Sequence, residues 1–451
     1  MTNAKYFLAG LLASSALTGS VVFAETIAIT NAKIETVGRL GTIANGNLII
    51  TDGKITALGA NVAIPANARI MDAKGGVVTP GLIASSSSLA AAEIEQVLQT
   101  RDDRSGALSS GFDIQYSINP QSPLIPLARQ SGLTRAVATP VLTRSPGGHA
   151  DDSGAYDSAG GGGGGEGDPS LFAGQAAIVR LASKDTDLVE RARVAVTLDL
   201  GEAGASAAGG SRGASLVLVR AALEDARAYS RNRAAYEDGG TREFGLSRVD
   251  LDALVPVVQG KTPLLIRVHS APDIRQALRL AREEKLQIIL EGAEEAWIVA
   301  KEIAAAGVPV LIDAQASLPA AFESRGARLD NAARLHAAGV KFAIIGSRDF
   351  NNVRQARLDA GLAVAHGLPY QAALASLTAN PASIWGMSDV GSLDVGKTAD
   401  VVVWNGDPLE TSSWPNAVFI KGVEQTASVR AFELRDRYAS SSSNGYSPAY
   451  R

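Results

Sequence analysis

Residues 75–83 read Gly75-Gly76-Val77-Val78-Thr79-Pro80-Gly81-Leu82-Ile83, a short apolar run rich in β-branched residues and punctuated by glycine and proline. That is the pattern of a buried strand bounded by turns. Working outward, similar runs recur at 134–141, 175–181, 194–200, 264–269, 286–290, 308–312 and 341–345. With 76–83 they make eight candidate strands. Between the later ones, residues 274–284 and 293–306 carry apolar side chains at helical spacing. Strands alternating with helices predict an α/β protein with a parallel sheet wrapped by helices. Eight strands suit a closed (β/α)8 TIM-type barrel, with the third and fourth strands alternatively forming a hairpin.

The two ends of the chain share a different texture. Short β-branched runs occupy 27–30, 46–50 and 54–58, with Asp52-Gly53 as a hairpin turn between the last two. Far along the chain, 399–404 and 417–421 repeat the pattern, with Asn405-Gly406-Asp407-Pro408 between them. Residues 145–170 contain six consecutive glycines, Gly160 to Gly165, and almost nothing to bury, which predicts a mobile loop. A short helix at 429–438 precedes a serine-rich tail, 439–451, expected to be disordered.

Composition narrows the function classes. The 451 residues carry 42 Lys and Arg against 46 Asp and Glu, a formal net charge of −4 with no long basic block, so nucleic-acid binding is not expected. Cysteine is absent, which removes disulfides, thiolate metal sites and cysteine nucleophiles. Residues 1–24 read as a secretory signal peptide: Lys5 precedes an apolar stretch, and Val22 and Ala24 are small residues at the positions read by a signal peptidase. Ser14, Ser15, Thr18, Gly19 and Ser20 interrupt the roughly 20 apolar residues a membrane span needs. The expectation is a secreted protein, periplasmic if bacterial, with no membrane association after cleavage.

The run at 75–83 resembles the opening of the barrel in the metal-dependent amidohydrolase superfamily, in an imidazolonepropionase-like form. A second resemblance follows near the C-terminus, where Ala373-Leu374 and Thr378-Ala379-Asn380-Pro381-Ala382 precede Gly391-Ser392-Leu393-Asp394-Val395-Gly396-Lys397-Thr398-Ala399-Asp400. It is similar to the family's return from the barrel to a small β-sandwich built by both chain ends. The resemblance implies a barrel at 76–390 and a β-sandwich from 25–75 and 391–438. It also implies hydrolysis of non-peptide C–N bonds, with zinc or another divalent metal lowering the pKa of bound water and polarising a carbonyl.

The same resemblance implies metal ligands that this sequence lacks. Where the family's first strand closes with two histidines, Ser86 and Ser88 stand here; where the sixth strand supplies a histidine, Gly292 stands. The eighth-strand aspartate position holds Arg348, with Asp349 one step late, and the fifth strand offers Arg267 or His269 according to register. A neutral hydroxyl is a poor zinc ligand, and one imidazole cannot hold a catalytic metal alone. The reading is an amidohydrolase-like pseudoenzyme without a metal cofactor, the alternatives being an active hydrolase on a cyclic amide or dipeptide-like substrate, or a small-molecule or anion-binding protein. His269 and Asp349 are the catalytic candidates. Arg267 and Arg348, if both face the barrel mouth, would bind a small carboxylate, with Asp349 as an internal partner. A serine nucleophile among Ser85 to Ser88 would require His269 within hydrogen-bond reach. Asp199 and Glu202 are weighed as acid/base groups against plain loop carboxylates, and His149, His336 and His366 read as ordinary polar residues. A homo- or hetero-oligomer is expected of a fold kept without its ligands.

Overall fold

In the computed structural model, residues 25–94, 97–142, 170–183, 185–319, 321–346, 352–426 and 429–439 are described. Residues 1–24, expected to be a signal peptide, nearly all of the glycine-rich segment and residues 440–451 of the expected tail lie outside them. The strands in chain order are β1 (Thr26–Glu35), β2 (Thr42–Thr51), β3 (Lys54–Gly59), β4 (Arg69–Asp72) and β5 (Val77–Pro80), then β6 (Leu82–Ser87), β7 (Leu133–Ala138), β8 (Phe172–Arg180) and β9 (Val189–Asp199). They continue with β10 (Leu264–Val268), β11 (Ile288–Gly292), β12 (Val310–Asp313), β13 (Phe342–Ile345), β14 (Val401–Trp404), β15 (Pro415–Ile420) and β16 (Val423–Glu424).

Both chain ends enter one sheet, ordered β16-β15-β14-β5-β1-β2-β3, with β4 branching from β1. The branch is possible because β1 is long: its first half pairs with β4 and its second half with β5. Asp52 and Gly53 turn β2 into β3 with φ of 52° and 72°, the left-handed pair that a two-residue hairpin requires. Ile27, Ile29, Leu48, Ile50, Val401, Val403 and Phe419 fill the core of this sheet.

Gly81 divides the run that the sequence presents as one strand. Residues 77–80 pair with β1 and β14 in the end sheet, whereas 82–87 begin the barrel. A side chain at Gly81 would lie 2.3 Å from Thr134 Oγ1, and the Gly81 amide donates to Asp400 O at 2.9 Å. The chain therefore changes sheet at a residue with no side chain to obstruct β7.

The second sheet runs β6 to β13 in sequence order, and β13 packs back against β6. Seven strands are parallel; β8 alone is reversed, antiparallel to both β7 and β9. The link between β8 and β9 is too short for the crossover that a parallel pair needs, so the hairpin alternative for the third and fourth strands is the one adopted. Alternate residues converge inside: Ile83, Val137, Ala176, Ile178, Ala195, Leu265, Ile289, Leu311, Ala343 and Ile345. Ala382, Trp385, Met387 and Val390 pack against them from the segment carrying the second sequence motif.

The helix expected at 274–284 spans Ala271–Glu284, with Ser270 accepting from the Asp273 amide as its cap. The one expected at 293–306 is shorter, a turn at Ala296–Ile298 followed by a helix at Ala300–Ala306. The reason is local: Gly292 and Ala293 have φ of 88° and 52°, which no right-handed helix accommodates. The C-terminal helix spans Arg430–Ala439. Among the described residues, no helix is long and apolar enough to cross a membrane.

Candidate functional site

Strand parity builds the barrel mouth. Successive residues point to opposite faces, so positions two beyond an interior residue also face inward. From Val137, Ala195, Leu265, Ile289 and Leu311 this rule carries Thr139, Asp199, Arg267, His269, Glu291 and Asp313 to the C-terminal ends of the strands, where barrel sites are built. Arg267 and His269 are two apart and share a face, so the choice between them suggested by the sequence is not one the fold makes.

Arg267 and Glu291 are register partners on the adjacent strands β10 and β11. Arg267 is 2% exposed and Glu291 0%. The guanidinium donates from Nε to Glu291 Oε1 at 3.2 Å and from Nη2 to the Pro140 carbonyl at 2.9 Å. The other Glu291 oxygen accepts from Ser86 Oγ at 3.1 Å, and Ser86 Oγ lies 2.8 Å from Thr139 Oγ1. Strands β6, β7, β10 and β11 are thus tied by one polar cluster, in which Glu291 is a carboxylate partner of Arg267; Asp349, the internal partner suggested by the sequence, lies outside the described residues. Ser88 Oγ donates to Asp103 Oδ2 at 2.9 Å. Burial of Asp103 would raise its pKa, but the adjacent Arg104 and Arg101 outweigh this and hold it below the usual carboxylate range.

His269 is fixed from both sides. Its Nδ1 donates to Glu294 Oε2 at 2.7 Å, and its Nε2 lies 3.7 Å from Glu323 Oε1. Glu323 Oε2 accepts from the Glu202 amide at 2.7 Å and from Arg212 Nη2 at 3.3 Å, which ties the loop after β12 to the loop after β9. The imidazole fits between two glycines. A Cβ at Gly292 would lie 2.8 Å from its Cε1, and one at Gly201 would lie 3.1 Å from its Cδ2. With φ at 88° and the ring of His269 against it, position 292 cannot carry a ligating side chain in this backbone.

The remaining sequence candidates separate. Asp199 Oδ1 accepts from the amides of Gly201 and Gly204, both at 2.9 Å, a turn-stabilising role, and Glu202 pairs with Arg212 at 3.4 Å. His336 and His366 are exposed on helices, with His366 Nδ1 donating to Leu362 O at 2.9 Å. His149, Arg348 and Asp349 lie outside the described residues. Sequence reasoning missed Glu291, Glu294, Glu323, Asp313 and Asp359. Period-two alternation from Ile289 could have found Glu291, whereas Glu323 and Asp359 come from a loop and a helix with no periodic signal. Asp359 is 5% exposed, and its Oδ2 has no hydrogen-bond partner among the described residues. Burial, and then the charge of Asp313, push its pKa up to about 7.

The described residues at the strand ends do not fit the divalent metal that the family resemblance implies. Ser86 and Ser88 are engaged with Thr139, Glu291 and Asp103, Gly292 offers no donor, and a guanidinium that stays charged at any accessible pH lies against Glu291. Among the described residues, no three His, Asp or Glu side chains are grouped to hold an ion.

Residues 268–426 match the model of the Amidohydrolase family. A curated relative, Amidohydrolase tasK of Hapsidospora irregularis, is 43% identical over 75 residues, 16% of this chain; the match spans only 8% of that protein's length. Among solved structures, an amidohydrolase from Thermotoga maritima MSB8 superposes with a TM-score of 0.74 at 23% identity, covering 88% of this chain and 99% of its own. Molinate hydrolase superposes at 0.53 and 17% identity, covering 90% and 95%. At these identities the structural likeness concerns the fold, and the family match, which runs from the end of β10 through the C-terminal strands of the end sheet, agrees with it. Residues 268–426 are thus similar to the Amidohydrolase family, and the fold of the chain is that of the amidohydrolase structures it superposes on.

Proposed function

We propose that this chain comes from the class that hydrolyses non-peptide C–N bonds and is a metal-free, non-catalytic member of it, keeping the barrel mouth as a small-molecule site. The observation that carries the reading is the Arg267–Glu291 pair. A buried guanidinium repels a divalent cation and removes from Glu291 the lone pairs a metal would need. The test is metal analysis of protein expressed with added zinc, beside turnover assays on cyclic amides and dipeptides. The expected result is well under one zinc or manganese per chain and no turnover; near-stoichiometric metal, or turnover abolished by a chelator, overturns it.

One observation favours a second reading, an active hydrolase on a cyclic amide or dipeptide-like substrate. His269 between Glu294 and Glu323 has the arrangement of an oriented general base. Metal-independent turnover lost in His269→Asn would establish it in place of the first.

The proposal extends to context. The mature chain is secreted, in the periplasm if the source is bacterial, and works as a homo- or hetero-oligomer. Light scattering on the purified protein and crosslinking in its native source are expected to show an assembly. A monomer without crosslinked partners removes this part of the proposal.

A further inference from the structure

The notional carboxylate site at Arg267 has a competitor already in place, because an incoming carboxylate would have to displace Glu291. The rest of the inner mouth is acidic, with Glu294, Glu323, Asp313 and Asp359 facing or flanking it. An anionic group is therefore repelled from the interior and has to be met at the rim. The connection from β12 to the helix Asn331–Ala337 forms part of that rim. It is anchored inward by Glu323, and beside it the Gly326 carbonyl accepts from Trp297 Nε1 at 2.8 Å while the Gly326 amide donates to Glu295 at 2.9 Å.

Ahead of these anchors the loop presents Leu318 and Phe322, 77% and 67% exposed. The Arg325 guanidinium carbon sits 3.9 Å from the centre of the Phe322 ring. Neighbouring arginines are matched to carboxylates: Arg328 and Arg334 to Asp330, and Arg212 to Glu202, Asp273 and Glu323. Arg325 has its aromatic contact and, among the described residues, no hydrogen bond or ion pair. Stacking fixes the plane of a guanidinium and leaves its edge donors available, and that planar fork matches a carboxylate bidentately.

We propose that Arg325 stacked on Phe322 is the carboxylate-recognition site of the barrel mouth, selecting small ligands that join a carboxylate to an apolar body. The carboxylate meets the Arg325 edge and the apolar body rests on Phe322 and Leu318. This orients the uncharged end of the ligand toward His269. The proposal rests on the ligand-binding part of the reading above and not on whether catalysis survives.

The test is calorimetric titration of the full mature chain with phenylacetate and with its neutral analogue phenylacetamide, on wild type, Arg325→Gln and Phe322→Ala. Expected are binding of phenylacetate to wild type, weakening by about fivefold or more in either variant, and no effect of Arg325→Gln on phenylacetamide. Both positions are exposed, so the variants should fold, and a circular dichroism melt verifies this. Phenylacetate that fails to bind wild type, or binds Arg325→Gln equally well, overturns the proposal. So does a mass change in light scattering on Arg325→Gln with carboxylate binding unmoved, which would assign the arginine to a protein interface. Metal content and turnover are read separately, so an active enzyme would sink the non-catalytic reading while leaving this site standing.

Discussion

Replacing Arg267 with methionine is expected to destabilise the protein by about 3 to 5 kcal/mol, whereas the double variant Arg267→Met/Glu291→Met should recover most of that loss. The single change takes from the fully buried Glu291 carboxylate the guanidinium that donates to it at 3.2 Å. Losing the partner of a buried charge exposes the full desolvation cost of what remains, while removing both charges removes the cost with them. Urea unfolding of wild type, both single variants and the double variant gives the coupling directly. A single-variant loss below about 1 kcal/mol, or a double variant as unstable as the worse single one, would mean that the pair is not the electrostatic centre of the barrel.

A comparably large effect is expected in the pH dependence contributed by Asp359. Burial raises its folded pKa from 3.8 to about 7, with the charge of Asp313 adding to the rise. A carboxyl group whose folded pKa lies above its unfolded value contributes stability that is fully present below the unfolded pKa and lost as pH rises through the folded one. Its contribution should therefore fall between about pH 4 and pH 7 and stay low above that. The shift corresponds to about 4 kcal/mol across that window. Asparagine cannot ionise, so Asp359→Asn should match wild type near pH 4 and exceed it at pH 8. The difference between the two proteins isolates this group from the other carboxylates. Equal urea midpoints for the pair at all pH values would mean that Asp359 is relieved of its burial in solution.

Legibility in the sequence followed the range of the interaction. The eight strands, the Asp52-Gly53 hairpin and the cap at Ser270 depend on neighbours a few residues away, and each is readable from local pattern. The change of sheet at Gly81 was not readable in that way, because it is decided by Thr134 and Asp400, far away in the chain. Parity shows that Arg267 and His269 share a face, and a strict count of two along the strand could have removed the apparent choice between them. What meets Arg267 was beyond such a count, since Glu291 lies on the next strand and becomes its neighbour only through the register in which β10 and β11 pair.

The sequence by itself determined the α/β barrel, the strand texture shared by the two chain ends, and that Ser86, Ser88 and Gly292 stand where the resemblance implies ligand-type residues. Strand periodicity, turn chemistry and residue identity are local properties carried by the chain in any conformation. Only the tertiary structure decided that β8 runs backwards, that Glu291 pairs with Arg267, that His269 is held between Glu294 and Glu323 over Gly292, and that Arg325 stacks on Phe322 with no carboxylate partner among the described residues. Those facts depend on side chains converging from strands and loops remote in sequence. Burial then turns their proximity into charge pairing, a shifted pKa and a blocked position, none of which exists until the barrel has closed.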